Sequence, residues 1–130
     1  MNAFIVSGVC VAVLVAGMVI LAIIFRTNGQ VVISGKRRRY LIYVPVCYDP
    51  AKPTPLVFNI HGLAQWPANQ KHVSQWNDLA NKEGFIVVYP MGTQIPLHWN
   101  SHVPVERSIR SQQEVAFFAA MIEKISKQYN

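Results

Sequence analysis

Serine, histidine and aspartate are the residue types from which many hydrolytic sites are built, and all three occur in this sequence. A serine nucleophile needs a base within hydrogen-bond reach and a donor site for the oxyanion. Asp49 lies in a proline-rich stretch and Asp78 on a predicted helix. Five serines lack a histidine at a recognisable spacing: Ser34, Ser74, Ser101, Ser108 and Ser111. These residues therefore do not predict a nucleophilic site of their own.

Two histidines in the stretch HWNSH have the spacing of helical zinc ligands. His98 and His102 are four positions apart, which places two ligands on one face of a helix. No glutamate follows His98, and the flanking Pro96 and Pro104 argue against a helix. We therefore predict no metal site and no cofactor, and we interpret both histidines as residues of a surface loop.

The apolar stretch from Leu56 to Ile60 ends abruptly in His61 and Gly62. Glycine permits a tight turn, and a histidine at a strand end can be held by local hydrogen bonds. The two residues taken alone therefore leave two interpretations open, a simple strand end or a functional loop.

Several strands and one helix must position these residues. Residues 31–34 and 38–45 are rich in β-branched and aromatic side chains, and Gly35 with Lys36 between them predicts an antiparallel hairpin. Three prolines in residues 49–55 exclude a central strand, so this segment is a predicted loop. Residues 56–60 form a nearly unbroken apolar run, which is typical of a strand covered on both faces.

A helix followed by a second apolar strand is predicted next. The helix lies between Gln70 and Glu83 and ends at Gly84. Residues 85–90 are apolar throughout, so strand, helix and strand predict a right-handed βαβ unit with parallel strands. The apolar face of the predicted helix consists of Val73, Trp76, Leu79 and Ala80.

The last part of the chain predicts a loop and a helix. Residues 91–107 contain two prolines and scattered polar side chains, as a long surface loop does. Ser111 and Glu114 have the spacing of a capping box, which predicts a helix from Ser111 to Tyr129. Since such a helix normally leads into another strand, we expect residues 36–130 to form an incomplete α/β domain.

The N-terminal segment has the composition of a membrane anchor. Residues 3–25 contain no charged side chain and have the length of a transmembrane helix. We predict an anchor or uncleaved signal over residues 1–26, and a linker with the first strand over 27–35. The lipid bilayer is then a partner of a single-pass membrane protein, whereas cleavage would release a secreted one. The membrane orientation stays open.

Basic residues just after this segment account for most of the net charge of +6. Arg26 and the run from Lys36 to Arg39 lie close to the predicted bilayer, which explains their charge. Aromatic residues do not alternate with these cations, so no nucleic-acid partner is predicted. The two cysteines, Cys10 and Cys47, predict no disulfide framework.

Four stretches, in order along the chain, carry a family resemblance: RRRYLIYVPVCYDPAKPTPLVFNIHGLAQ, SQWNDLANKEGFIVVYP, HWN and EVAFFAAMIEKISKQYN. Together they cover about residues 37–130, and they resemble the N-terminal half of secreted α/β-hydrolases of the polyhydroxybutyrate depolymerase and feruloyl esterase group. The resemblance implies a mostly parallel sheet with helices on both faces. It also implies hydrolysis of polyhydroxyalkanoate or feruloyl esters by a Ser-Asp-His triad.

The resemblance assigns a role to the loop after residues 56–60, which correspond to the third strand of that fold. In α/β-hydrolases one oxyanion-hole N–H comes from this loop, where a fixed donor stabilises the tetrahedral intermediate. By resemblance the donor is the N–H of Leu63, while Gly62 permits close approach and His61 braces the loop. Trp66 and Trp99 lie in loops on the side where the family binds its ester.

The catalytic serine of the resemblance is missing from these residues. The nucleophile motif G-x-S-x-G occurs nowhere in the sequence, and the family places it, with the triad acid and histidine, beyond the position of Asn130. We expect the N-terminal portion of a membrane-anchored serine esterase, inactive alone, that meets an ester substrate only when the missing half is supplied. The alternative is a noncatalytic, membrane-anchored binding module on half of a hydrolase scaffold.

Overall fold

The computed structural model describes residues 2–24, 26–100, 104, 106 and 108–130, and within the first helix it describes the side chains of residues 8–22. These residues form a mixed α/β structure with a four-stranded sheet. In chain order the elements are α1 (Asn2–Ile24), β1 (Gly29–Ile33), β2 (Lys36–Tyr43), β3 (Leu56–Phe58), α2 (Pro67–Ser74), α3 (Trp76–Glu83), β4 (Ile86–Pro90) and α4 (Ile109–Ser126).

The first two strands form the predicted hairpin. Ser34 and Gly35 connect them with φ angles of 49° and 76°, the left-handed pair of a two-residue turn whose twist matches that of the strands. β1 and β2 are antiparallel, with Val31 opposite Arg38. The hairpin prediction is therefore confirmed, although β1 begins at Gly29, two residues earlier than predicted.

The predicted βαβ unit is also present. β3 and β4 are parallel, with Val57 opposite Val87. The connection holds two helices instead of one, because Gln75 adopts a left-handed conformation with φ 55° and separates α2 from α3. The change of direction leaves Val73 and Leu79 65% and 43% exposed. The predicted single helix and its continuous apolar face are therefore wrong.

The strand order is β1-β2-β4-β3, which places β4 inside the sheet and β3 at its edge. β4 pairs with β2 in antiparallel fashion and with β3 in parallel fashion, and all five of its residues are buried. The three residues of β3 are only half-buried. Leu56 and Phe58 pack against the buried cluster on the α4 face, and coverage of both faces of this strand stays a prediction.

Helices pack on both faces of the sheet. On one face Phe117 and Met121 of α4 form a buried cluster with Val88 of β4. On the other face Ala80 of α3 packs against Val87 of the same strand. β4 therefore lies between two helical layers, and the apolar character of residues 86–90 follows from this position.

The last helix starts two residues before its predicted position. Ser108 is the N-cap, and its Oγ accepts a hydrogen bond from the N–H of Ser111 at 3.3 Å. The Ser111 hydroxyl instead donates to the carbonyl of Asn100 at 2.7 Å. The predicted capping box at Ser111 and Glu114 is therefore wrong, because both side chains have partners in other parts of the molecule.

No helix in the described part of the chain combines the length and the apolar character needed to cross a membrane. This finding contradicts the predicted transmembrane anchor and the single-pass membrane location that depended on it.

Candidate functional site

The candidate site lies where two parallel strands end side by side. Asn59 follows β3, and its N–H donates to the carbonyl of Val88 in β4 at 2.8 Å. His61 and Gly92 lie just beyond the carboxyl ends of β3 and β4, respectively. Since α/β sheets bind ligands outside the carboxyl ends of their parallel strands, this edge is the place to look for a site.

His61 connects the two loops that leave these strands. Its side chain is buried, with 2% of the residue exposed. The N–H of Gly92 donates to Nε2 at 3.0 Å, so Nε2 is an acceptor and carries no proton. Nδ1 then carries the proton and donates to the carbonyl of Gly62 at 2.7 Å. Burial lowers the pKa of His61, although its hydrogen bond to the Gly62 carbonyl opposes this shift.

The contact between the two loops requires a glycine at residue 92. A Cβ atom there would lie 2.8 Å from the carbonyl oxygen of His98 and 3.0 Å from Cε1 of His61. The indole N–H of Trp99 donates to the carbonyl of His61 at 2.8 Å, and the two rings are 5.0 Å apart. Three contacts from one segment therefore fix the position of the histidine.

Residues 91–100 are thus part of the packed structure. Thr93 and His98 exchange two backbone hydrogen bonds of 3.0 and 3.1 Å, which close a turn, while Gly92 and Asn100 are buried. The expectation of a long surface loop over residues 91–107 holds for the exposed residues 94–96 and is wrong for the buried Gly92 and Asn100. Residues 101–103, 105 and 107 lie outside the described residues.

Within residues 62–65 of the loop after β3, one backbone N–H has no acceptor among the described residues. Gly62 donates to Oε1 of Gln65 at 3.0 Å, Ala64 donates to the carbonyl of Leu97 at 2.8 Å, and Gln65 donates to the carbonyl of Gly62 at 3.3 Å. Leu63 donates to no described residue, and it is 72% exposed. The donors on both sides of Leu63 are engaged, so within residues 62–65 the N–H of Leu63 is the one that is open to a bound group.

The two tryptophans of the predicted substrate side are both half-buried. Trp99 packs against Phe118 of α4 with ring centroids 5.8 Å apart, in addition to its contact with His61. Trp66 is the N-cap residue of α2. Trp99 therefore has a structural role in holding the His61 loop, and contact of either tryptophan with a substrate stays a prediction.

The two histidines with zinc-like spacing do not form a described metal site. Nδ1 of His98 donates to the carbonyl of Pro96 at 2.8 Å, and His102 lies outside the described residues. Where side chains are described, no group of three or more histidine, cysteine, aspartate or glutamate residues is arranged to hold a metal ion.

The basic run from Lys36 to Arg39 belongs to β2. Arg38 is buried, and its Nη2 lies 2.7 Å from Oε2 of Glu114 in α4. The guanidinium carbon is 4.1 Å from the centroid of the Phe117 ring, which is a favourable cation–π position. Asn100 donates from Nδ2 to Oε1 of Glu114 at 2.9 Å. The interpretation of the whole run as a juxtamembrane segment is therefore wrong for Arg38, which forms a buried ion pair.

Sequence reasoning missed Gly92, Gln65 and the Arg38–Glu114 pair. One signal in the sequence could have found Gly92. Each of the two apolar strands is followed by a glycine within two residues: Gly62 follows residues 56–60, and Gly92 follows residues 86–90. No local signal marks the ion pair, whose residues are 76 positions apart in the chain.

Comparison with known proteins identifies a relative of this chain. The chain is 30% identical over 97 residues to a bifunctional acetylxylan esterase/xylanase from Neocallimastix patriciarum. This match supports an esterase-like relationship. It covers 75% of the chain but 13% of the relative, so the chain corresponds to a small part of that protein. No family model matches the chain.

The structure also bears on the alternative hypothesis. A noncatalytic, membrane-anchored module required the predicted anchor, which the absence of a membrane-spanning helix among the described residues contradicts. The alternative is therefore not supported.

Proposed function

We propose that this chain supplies the oxyanion loop of a carboxylic ester hydrolase, with the N–H of Leu63 as the donor. The observation that carries the proposal is the free N–H of Leu63 between engaged neighbours. The loop lies at the carboxyl edge of a parallel strand pair, and the chain is related to an esterase.

The loop is suited to stabilise charge on an oxygen atom. When a nucleophile attacks an ester, the carbonyl oxygen becomes an oxyanion, and a donor already fixed in place stabilises it without reorganisation. The hydrogen bonds of Gly62 and Ala64 hold the backbone on both sides of Leu63. His61 fixes the same loop to the segment after β4 through Gly92.

The remaining catalytic groups are not among these 130 residues. The nucleophile motif G-x-S-x-G does not occur in the sequence, and the second oxyanion donor of an α/β-hydrolase is the residue after that nucleophile. The serine, the acid and the catalytic histidine therefore come from sequence outside residues 1–130 in this proposal. The chain alone has no esterase turnover.

The proposed substrate is a carboxylic ester on or within a polymer. The name of the relative specifies an acetylated xylan, and the resemblance to the feruloyl esterase and polyhydroxybutyrate depolymerase group adds feruloyl and polyhydroxyalkanoate esters. We assign Trp66 and Trp99 to the substrate side, since Trp66 follows the proposed oxyanion loop in the chain and Trp99 contacts His61 of that loop.

A chimera tests the proposed role of Leu63. The matched stretch of 97 residues in the relative is replaced by the corresponding residues of this chain, and both deacetylation and xylan cleavage are measured. Leu63→Pro removes the N–H, whereas Leu63→Ala keeps it and serves as the control. We expect Leu63→Pro to lower kcat for deacetylation about 10²- to 10³-fold, the usual effect of losing one oxyanion donor.

Xylan cleavage, the second activity in the name of the relative, reports whether the rest of the chimera remains intact. We expect it to stay unchanged in both variants, while deacetylation falls in Leu63→Pro alone. A folded chimera that deacetylates equally well with proline at this position excludes Leu63 as the donor. The chain can also be assayed alone. If it hydrolyses esters and Leu63→Pro abolishes that activity, the catalytic serine does not come from outside residues 1–130.

A further inference from the structure

A cavity of about 330 Å³ lies on the α4 side of the sheet, between the hairpin, the segment after β4 and the start of α4. The hairpin contributes Lys36 and Arg38, α4 contributes Arg110 and Glu114, and the segment after β4 contributes Thr93 and Asn100. Its volume is at the small end of the range for ligand pockets. The cavity is separate from the Leu63 loop, since no residue of that loop lines it.

The charges around the cavity do not balance. Arg38 and Glu114 form a buried ion pair of 2.7 Å and neutralise each other. Lys36 and Arg110 also line the cavity, and neither forms an ion pair within the described part of the chain. Two positive charges therefore remain at the wall, and both are on exposed residues that a ligand can reach.

The floor of the cavity is fixed by hydrogen bonds. Oε1 of Glu114 accepts from Nδ2 of Asn100 at 2.9 Å, and Oδ1 of Asn100 accepts from Nε2 of Gln94 at 3.3 Å. The Arg38 guanidinium is held against the Phe117 ring as well as against Glu114. Since these partners are engaged with one another, the two free cations determine which charge the cavity attracts.

We propose that this cavity binds an anionic group, a carboxylate or a phosphate, between Lys36 and Arg110. Guanidinium and ammonium groups form short, charge-assisted hydrogen bonds with such oxygens. The cavity takes a group of the size of a single acidic sugar or a phosphate. The inference does not depend on the proposed ester chemistry, because it rests on different residues.

Calorimetric titration of the full chain with inorganic phosphate and with glucuronate tests the proposal. Uncharged glucose is the ligand control. The test variant Lys36→Gln/Arg110→Gln removes both free cations. The matched controls are Arg37→Gln and Arg39→Gln, alone and combined, because these exposed arginines lie on the same strand and line a different cavity. The double variant and the combined control remove the same charge, so a general attraction of anions to a basic protein would respond equally to both.

We expect phosphate or glucuronate to bind and glucose not to bind. The double variant should weaken anion binding at least about tenfold, as expected for the loss of two charge-assisted contacts, while Arg37→Gln/Arg39→Gln changes it less than about twofold. Tighter binding of glucuronate assigns the site to an acidic sugar, and tighter binding of phosphate assigns it to a phosphoryl group. Binding of neither anion overturns the proposal, as does an equal loss in the combined control.

Discussion

His61 is the residue on which the local geometry converges. It accepts one hydrogen bond from the segment after β4, donates one to its own loop, and accepts the Trp99 indole N–H at its carbonyl. A buried neutral imidazole fits this arrangement, because the Gly92 N–H can donate only to an unprotonated Nε2. Protonation of His61 therefore breaks a contact between the two loops.

The free energy of unfolding should fall when His61 becomes protonated. Burial lowers the pKa of folded His61 below the ordinary value of 6.5. Between the two pKa values the unfolded chain binds more protons, so stability is complete above pH 6.5 and is lost as the pH falls toward the folded pKa. Urea unfolding at several pH values above and below 6.5 measures this effect. The free energy of unfolding should fall more steeply with decreasing pH for the wild type than for His61→Gln.

His72→Gln is the control for this experiment, since His72 is exposed on α2. We expect it to keep the pH dependence of the wild type. Glutamine at residue 61 can offer an acceptor to Gly92 without titrating. Equal pH dependence of the wild type and His61→Gln would show that the histidine does not couple the loops to pH.

At the scale of elements, the Arg38–Glu114 pair joins β2 to α4. Both side chains are about nine-tenths buried, with 10% and 11% exposed. Removing one partner leaves an uncompensated buried charge, which is strongly destabilising, whereas an apolar pair of similar volume costs much less. The pair therefore connects the hairpin to α4. Substitution of one partner should lower the free energy of unfolding more than substitution of both.

A double-mutant cycle measures this connection. We expect Glu114→Leu and Arg38→Met each to lower the free energy of unfolding by about 3–5 kcal/mol, as for other broken buried pairs. The double variant should lose clearly less than the sum of the two. Denaturant unfolding provides the measurement, and additive losses would mean that the two charges are solvated independently of each other.

Arg37→Met is the matched control for the arginine substitution. This residue is exposed and neighbours Arg38 on the same strand, so the same change there should alter the free energy of unfolding by no more than about 0.5 kcal/mol.

Local sequence signals predicted the hairpin and the βαβ unit, because Gly35 and the two apolar strands determine them within short stretches. The break at Gln75 was missed since neither glycine nor proline marks it. Glu114 was assigned to a capping box because the capping motif is local, whereas its actual partner lies 76 residues away. The edge position of β3 depends on how distant strands pair, and a single apolar run does not encode it.

The candidate site was predicted in part. The sequence located the residues after β3, and the resemblance selected Leu63 among them. Neither the sequence nor the resemblance predicted that residues 92–99 fix His61. This contact between two loops depends on the parallel alignment of β3 and β4.

For the whole molecule, the most prominent property is exposed apolar surface. The described side chains of α1 are all exposed, for example Leu14 at 68% and Met18 at 71%. On α4, Val115 and Ile122 are 54% and 47% exposed. Contiguous apolar surface of this kind promotes association in water.

We expect the full chain to self-associate as its concentration rises. Deletion of residues 1–25 should lower the average mass measured by sedimentation equilibrium, because it removes the exposed apolar helix. Val32→Lys is the control, since Val32 is a single exposed apolar residue on β1, 63% exposed. A full chain that sediments as a monomer at every concentration would contradict this expectation.

The hydrogen bond from Gly92 to Nε2 of His61 has a consequence for any reaction at this edge of the sheet. The only unprotonated nitrogen of the ring is already occupied, and the other holds its proton against the Gly62 carbonyl. While this hydrogen bond is made, the imidazole therefore has no free lone pair with which to take a proton from a serine or a water molecule. His61 holds the loop in place and does not transfer protons. The general base of an esterase built on this scaffold must therefore be a different residue.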